Sequence, residues 1–119
     1  MRQTSDLINA YLTGFNSEYD GIKLTDVSPI VAWQDAKYPF AVFKIDRRPA
    51  YSKNGMFEYD VQIRIISENY ESLMDLTDGL TEFLDQYKEL IYQGTESEIN
   101  PDKPSEHIIT NTYQIIKNS

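Results

Sequence analysis

The sequence predicts an α+β fold: an antiparallel or mixed β-sheet with an N-terminal helix and one long amphipathic helix packed on one face. Three observations predict it. Phe57, Tyr59, Val61, Ile63 and Ile65 alternate with Glu58, Asp60, Gln62 and Arg64, the period of two of a half-buried antiparallel strand. Leu7, Ile8, Tyr11, Leu12 and Phe15 repeat at helical spacing. Tyr70, Leu73, Leu76, Thr77, Leu80, Phe83, Leu84 and Tyr87 make a broad apolar stripe along the run that starts at Glu68 and ends at Leu90, and Ile91 just beyond it continues the spacing. With 119 residues, 1–119 is expected to be a single domain with a core of its own.

The elements follow in order. Thr4–Phe15 reads as the first helix, with Thr4 or Ser5 available as its cap and Gly14 weakening its last turn. "IKLTDV" is compatible with a short strand, and "PIVAWQ" (Pro29–Gln34) reads as a better one, with Trp33 as a core or strand-face aromatic. In "PFAVFKIDR", Ala41, Phe43 and Ile45 share one face while Lys44 and Asp46 share the other. Pro49, Asn54 and Gly55 then mark a loop, so this strand and the alternating one form a hairpin with a long tip. Ser67 and Asn69 are candidate caps of the main helix, and Gly79 sits in its middle at up to about 1 kcal/mol relative to Ala. "GTESEINPDKPSEH" is polar, with room for a short strand around Glu96–Asn100, and "HIITNTYQIIK" closes the chain as a β-branched strand.

Charge is the most informative remaining feature. The net charge is −8, which argues against gripping nucleic acid over the whole surface. From Glu68 to Glu106 there are eleven acids against Lys88 and Lys103, whereas the rest holds eight acids and nine bases. Lys44, Arg47, Arg48 and Lys53 cluster on the hairpin with Asp46 as the one acid among them. Glu71, Asp75, Asp78, Glu82, Asp85 and Glu89 recur at helical spacing, so a continuous helix carries them as one acidic face. Composition alone favours a solvated, unevenly charged surface; the split also suits a basic part of one copy meeting an acidic part of another.

Catalytic chemistry finds little footing. There is no cysteine and one histidine, His107, which lacks partners for a metal site or a nucleophile–base pair. A straight row of carboxylates does not supply a calcium loop, and acids pointing away from the apolar face are expected to be solvated rather than tuned for proton transfer. Base stacking by the nine tyrosines is opposed by the overall acidity; Tyr38 and Tyr51, which flank the hairpin, suit a protein interface better. No apolar run approaches the ~18 residues of a membrane span, and the N-terminal stretch lacks a signal-peptide core, so the chain reads as a soluble protein made in a cytoplasm.

The stretch "PFAVFKIDRRPAYSKNGMFEYDVQIRIISENYESLMDLTDGLTEFL" resembles the small tail-terminator, or tail-completion, proteins of long-tailed phages. The shared features are an N-terminal helix, a "FAVFKI" strand, a loop ending in Gly55, an alternating strand "YDVQIRIIS" running into an amphipathic helix, and a closing strand. The resemblance implies an α+β subunit of a virion tail, made in the host cytoplasm, that forms a ring, commonly a hexamer. It implies contacts with the tail-tube protein and a head-completion or connector protein, and no enzyme activity, cofactor, metal, specific nucleic-acid site or membrane. The family's oligomerising loops map onto Arg47 to Met56, so Lys44, Arg47, Arg48, Tyr51 and Lys53 are the candidate subunit interface. The acidic face either lines the channel, where carboxylates repel DNA, or receives the basic hairpin of the next copy. The alternative from another class is a monomeric or dimeric binding module whose acidic helix meets a basic partner.

Overall fold

The computed structural model of the chain describes residues 2–19, 24, 26–29, 38–49 and 56–117. Helix α1 (Arg2–Glu18) precedes strands β1 (Asp26–Pro29), β2 (Phe40–Pro49) and β3 (Phe57–Ser67). Helix α2 (Tyr70–Leu84), β4 (Ile91–Ile99) and β5 (His107–Lys117) complete the described chain. The strands form one sheet in the order β1-β2-β3-β5-β4, with β1 parallel to β2 and every other pair antiparallel. The fold is α+β with a mixed sheet.

β3 lies at the centre because its period-two pattern gives it one fully apolar face. Tyr59, Val61, Ile63 and Ile65 are each at most 1% exposed, while Gln62 and Arg64 on the other face meet solvent. Val61 sits between Ile45 of β2 and Tyr113 of β5, so the inward faces of three strands coincide. Ile8, Leu12 and Phe15 of α1 and Leu73, Leu76, Leu80 and Leu84 of α2 close over that face. Each such side chain contributes about 1.5–3 kcal/mol by leaving water.

α1 starts at Arg2, earlier than Thr4–Phe15. Thr4 is therefore buried within the helix and does not cap it. α2 begins where a cap was expected: Asn69 Oδ1 accepts a hydrogen bond from Ser72 N at 3.0 Å. Its C-terminal end differs from the expected long helix. α2 has 15 residues and stops at Leu84, with Asp85 at its cap and a string of tight turns to Leu90. Past Leu84 no aliphatic side chain continues the stripe until Leu90, which turns back into the core. Tyr87 serves α1 instead, stacking on Tyr11 with ring centroids 3.9 Å apart. Ile91–Ile99 then pairs along β5, satisfying backbone groups that a longer helix would have left at an open sheet edge. The strand expected around Glu96–Asn100 is thus nine residues long, with a bulge between Tyr92 and Gly94, where Gly94 adopts φ 150°.

Other expectations divide simply. The antiparallel pairing of β2 with β3 and the terminal strand stand as read, but Pro49, expected in the loop, is the last residue of β2, and Asn54 and Gly55 lie outside the described residues. The short strand of "IKLTDV" is displaced to Asp26–Pro29. Of "PIVAWQ" only Pro29 is described; Trp33, Tyr51 and Lys53 lie outside the described residues.

Gly79 has a definite structural role. A Cβ there would lie 2.5 Å from Cε1 of Tyr19, whose ring stacks on Phe15 and whose hydroxyl donates to the Asp75 carbonyl at 3.2 Å. Ala gains about 1 kcal/mol of helix propensity over Gly, yet displacing a packed ring costs about 1–3 kcal/mol. Gly79→Ala should therefore destabilise the wild type by roughly 1 kcal/mol and stabilise a Tyr19→Ala background by up to about 1 kcal/mol. Chemical denaturation of the four proteins checks this; the same sign in both backgrounds contradicts it.

Candidate functional site

α2 carries Glu71, Asp75, Asp78 and Glu82 within about 60° of arc at roughly 3.6 residues per turn, and all four are exposed. The expected six-acid helical face is not continuous, because α2 ends first. Asp85 caps the helix, and Glu89 lies in the turns beyond it, where it accepts a hydrogen bond from the Tyr11 hydroxyl. That bond holds the Glu89 carboxyl below its ordinary range; burial, then Glu89, push the Tyr11 hydroxyl upward. Among the described residues none of the six acids forms an ion pair with Lys or Arg.

Asp78, Glu82 and Asp85 line a cleft of about 460 Å³ between α2 and β4. The cleft exists because the two helices cover β1, β2, β3 and β5, while neither packs across β4. Tyr92 of β4 and Tyr113 of β5 form one wall, their ring centroids 5.7 Å apart. Beneath them lies a polar network centred on the buried Asn111 and reaching the exposed Thr95. Asn111 donates from Nδ2 to Thr81 Oγ1 at 2.9 Å and to the Tyr113 hydroxyl at 3.3 Å, and its Oδ1 accepts from Thr95 Oγ1 at 2.7 Å. Thr95 Oγ1 also shares a hydrogen bond with the Tyr92 hydroxyl, and Thr81 Oγ1 donates to the Thr77 carbonyl at 2.8 Å. Burial pushes the Tyr113 hydroxyl up to about 12, so it stays neutral at physiological pH. Carboxylates at the rim and tyrosine faces on the wall suit a cation, above all a guanidinium. A second hollow of about 400 Å³, lined by Tyr70, Ile99 and His107, lies towards the other end of β4.

The basic candidates sit across the sheet on β2. Lys44 lies 3.7 Å from Asp46, both exposed. Arg48 is engaged within the chain: its Nε donates to Glu58 at 2.8 Å and its Nη1 donates to Asp60. Arg47 lies on the helix-bearing face with its guanidinium 4.8 Å from the Phe57 ring centroid, and among the described residues it has no carboxylate partner. Tyr38, the other interface candidate, donates to Glu106 at 2.6 Å and accepts from Lys103 at 2.7 Å, tying the start of β2 to the β4–β5 connection. Two strands, β3 and β5, separate the acid-lined cleft from the basic segment, so the two do not meet within one chain.

Sequence reasoning missed the cleft and the Asn111 network. A signal for the latter was present: Asn111 falls at the same parity as Ile109, Tyr113 and Ile115, a polar residue on a strand's core face. Among the described residues no group of three or more His, Cys, Asp or Glu is placed to hold a metal ion, and no helix is long and apolar enough to cross a membrane. No family model matches the chain, and no curated protein matches it.

Proposed function

We propose that this protein is a structural, ring-forming component of a long-tailed phage or prophage: a tail terminator that closes the end of the tail tube and joins it to the head. One observation carries the reading. Basic side chains occupy one lateral side of the sheet (Lys44 and Arg47 on β2), and acids with an open cleft occupy the other (Asp78, Glu82 and Asp85 beside β4). A contact between two different complementary patches on identical copies is heterologous, and it forms a ring when the rotation closes. The order of helix, hairpin, helix and closing strand supports the same family resemblance. The partners are then other copies, the tail-tube protein and a head-completion protein; the role needs no cofactor and no catalytic residue. Remaining surface acids would keep DNA from adhering in the channel. The 460 Å³ acidic, tyrosine-walled cleft also favours a second reading, a binding module for a basic protein partner.

Arg47 separates these ideas from a merely solvated surface. Arg47→Glu should leave the circular dichroism spectrum unchanged and shift sedimentation towards smaller species. Arg48→Glu should instead lower the melting temperature, since it places a third acid beside Glu58 and Asp60. If Arg47→Glu sediments like wild type, the charge-split joint is wrong.

A further inference from the structure

The two hollows beside β4 belong to one groove. Tyr70, Met74 and Thr81 fall within about 40° of arc on α2 at roughly 3.6 residues per turn. Tyr70 lines the smaller hollow and Thr81 the larger, so one side of the helix borders both, with Met74 between them. The facing side is β4, whose core-facing residues are Ile99 and Ser97 at one hollow and Thr95 and Tyr92 at the other. Their partners on β5 run from His107 and Ile109 to Asn111 and Tyr113, which sets the hollows four residues apart, roughly 14 Å.

The two ends differ in chemistry. At one, Tyr70, Met74 and Ile99 are large apolar side chains between 39% and 54% exposed. At the other, Asp78, Glu82 and Asp85 border the tyrosine wall with no ion-pair partner among the described residues. The strand that borders the groove is also an edge. β4 pairs with β5 alone among the described residues, and every residue of it except Gly94 is exposed. Its outer backbone groups can therefore take a further strand. The face of β4 away from the helices carries Glu96 and Glu98; Glu98 meets Arg64 at 3.6 Å, and Glu96 has no such partner among the described residues. These acids oppose pairing with a second β4 and favour a basic strand.

We propose that the α2–β4 groove and the β4 edge bind an extended basic segment of another protein: an apolar residue sits in the Tyr70–Ile99 hollow, and an arginine four residues later enters the acid-lined cleft. This rests on the second reading above, a binding module for a basic protein partner, and specifies the segment. Residues four apart in a strand point the same way, and four residues span the distance between the hollows. With the segment antiparallel and its apolar residue opposite Ile99, the residues opposite Glu98 and Glu96 point away from the groove, where lysines pair with those acids. The arginine comes opposite Thr95, beside Tyr92, where a planar guanidinium can hold a carboxylate and lie against a ring. A second copy does not supply this segment. The nearest match in the chain, Phe43–Arg47, begins at a residue that is 2% exposed and paired on both sides, with Pro29 of β1 and Ile63 of β3.

Fluorescence anisotropy tests this with a labelled heptapeptide that has isoleucine second, lysine third and fifth, arginine sixth and threonine elsewhere. It should bind saturably, one per chain, and release as salt rises. Replacing its isoleucine with threonine should weaken binding about fivefold, as should Ile99→Thr in the protein. Asp78→Asn/Glu82→Gln should weaken it about tenfold. All three protein positions are exposed, and the peptide change leaves the protein untouched. If neither the peptide change nor Ile99→Thr weakens binding while Asp78→Asn/Glu82→Gln does, the basic-partner reading stands and the two-ended groove falls. Binding undiminished by Asp78→Asn/Glu82→Gln would overturn both. So would an absence of binding both to the wild type and to Arg47→Glu, in which no neighbouring copy competes for the cleft.

Discussion

Leu80→Ala should destabilise the protein by about 3 kcal/mol, within the roughly 2–5 kcal/mol observed when a buried leucine is truncated. Leu80 is fully buried on α2, in the cluster that joins both helices to the inward face of the sheet. The loss combines the transfer of the removed carbons with the void they leave. Neighbours that are themselves fully buried, such as Leu76 and Leu84, have little room to collapse into it. Against a total of about 5–15 kcal/mol for a small domain this is a large share. A denaturant titration should show a lower midpoint and an unchanged slope, and Leu80→Met, which conserves volume, should cost less than about 1.5 kcal/mol. A Leu80→Ala cost below about 1 kcal/mol would contradict the placement of α2 on the sheet.

Asn111→Ala should cost about 2–3 kcal/mol for a different reason. The volume change is modest, but the substitution removes the amide that links Thr81, Thr95 and Tyr113 and takes the Asn111 hydrogen bond from the buried Tyr113 hydroxyl. Asn111 is fully buried, so an unmet donor or acceptor there keeps its desolvation cost. Replacing the polar set together should recover much of the loss, because apolar groups of similar shape need no partner. Asn111→Val, Thr95→Val and Thr81→Ala combined should therefore be more stable than Asn111→Ala alone, and a thermodynamic cycle measures the coupling. Additive losses would mean that the three side chains do not act as one network. Loss of Asn111 should also disturb Tyr92 and Thr95, and with them the wall of the cleft.

Most of the fold was legible where one physical signal dominated. Tyr59–Ile65 could be buried on one side only as a strand, and Leu73–Leu84 only as a helix. The end of that helix was illegible because the segment from Asp85 to Leu90 satisfies helical spacing on paper. What decides against it is non-local: β5 has an open edge, and Ile91–Ile99 fills it. For the same reason Glu89 was placed on the helix; it is exposed as expected, but it lies in the turns beyond α2 and accepts from Tyr11 of α1, 78 residues away in the chain. The candidate site was half legible. Charge segregation showed in composition, and Asp78, Glu82 and Asp85 do share a side of the molecule. That this side is a cleft, and that Arg48 is occupied by Glu58 and Asp60 while Arg47 is not, depends on strand order and register, which a periodic pattern does not encode.

Sedimentation velocity of the wild-type protein over a concentration series up to the millimolar range, paired with negative-stain electron microscopy, tests the central claim most directly. The predicted result is one discrete closed oligomer near six subunits, seen as a ring, that dissociates as salt is raised because its joint pairs unlike charges. A monomer at every concentration, or open fibres in place of a closed ring, would contradict it.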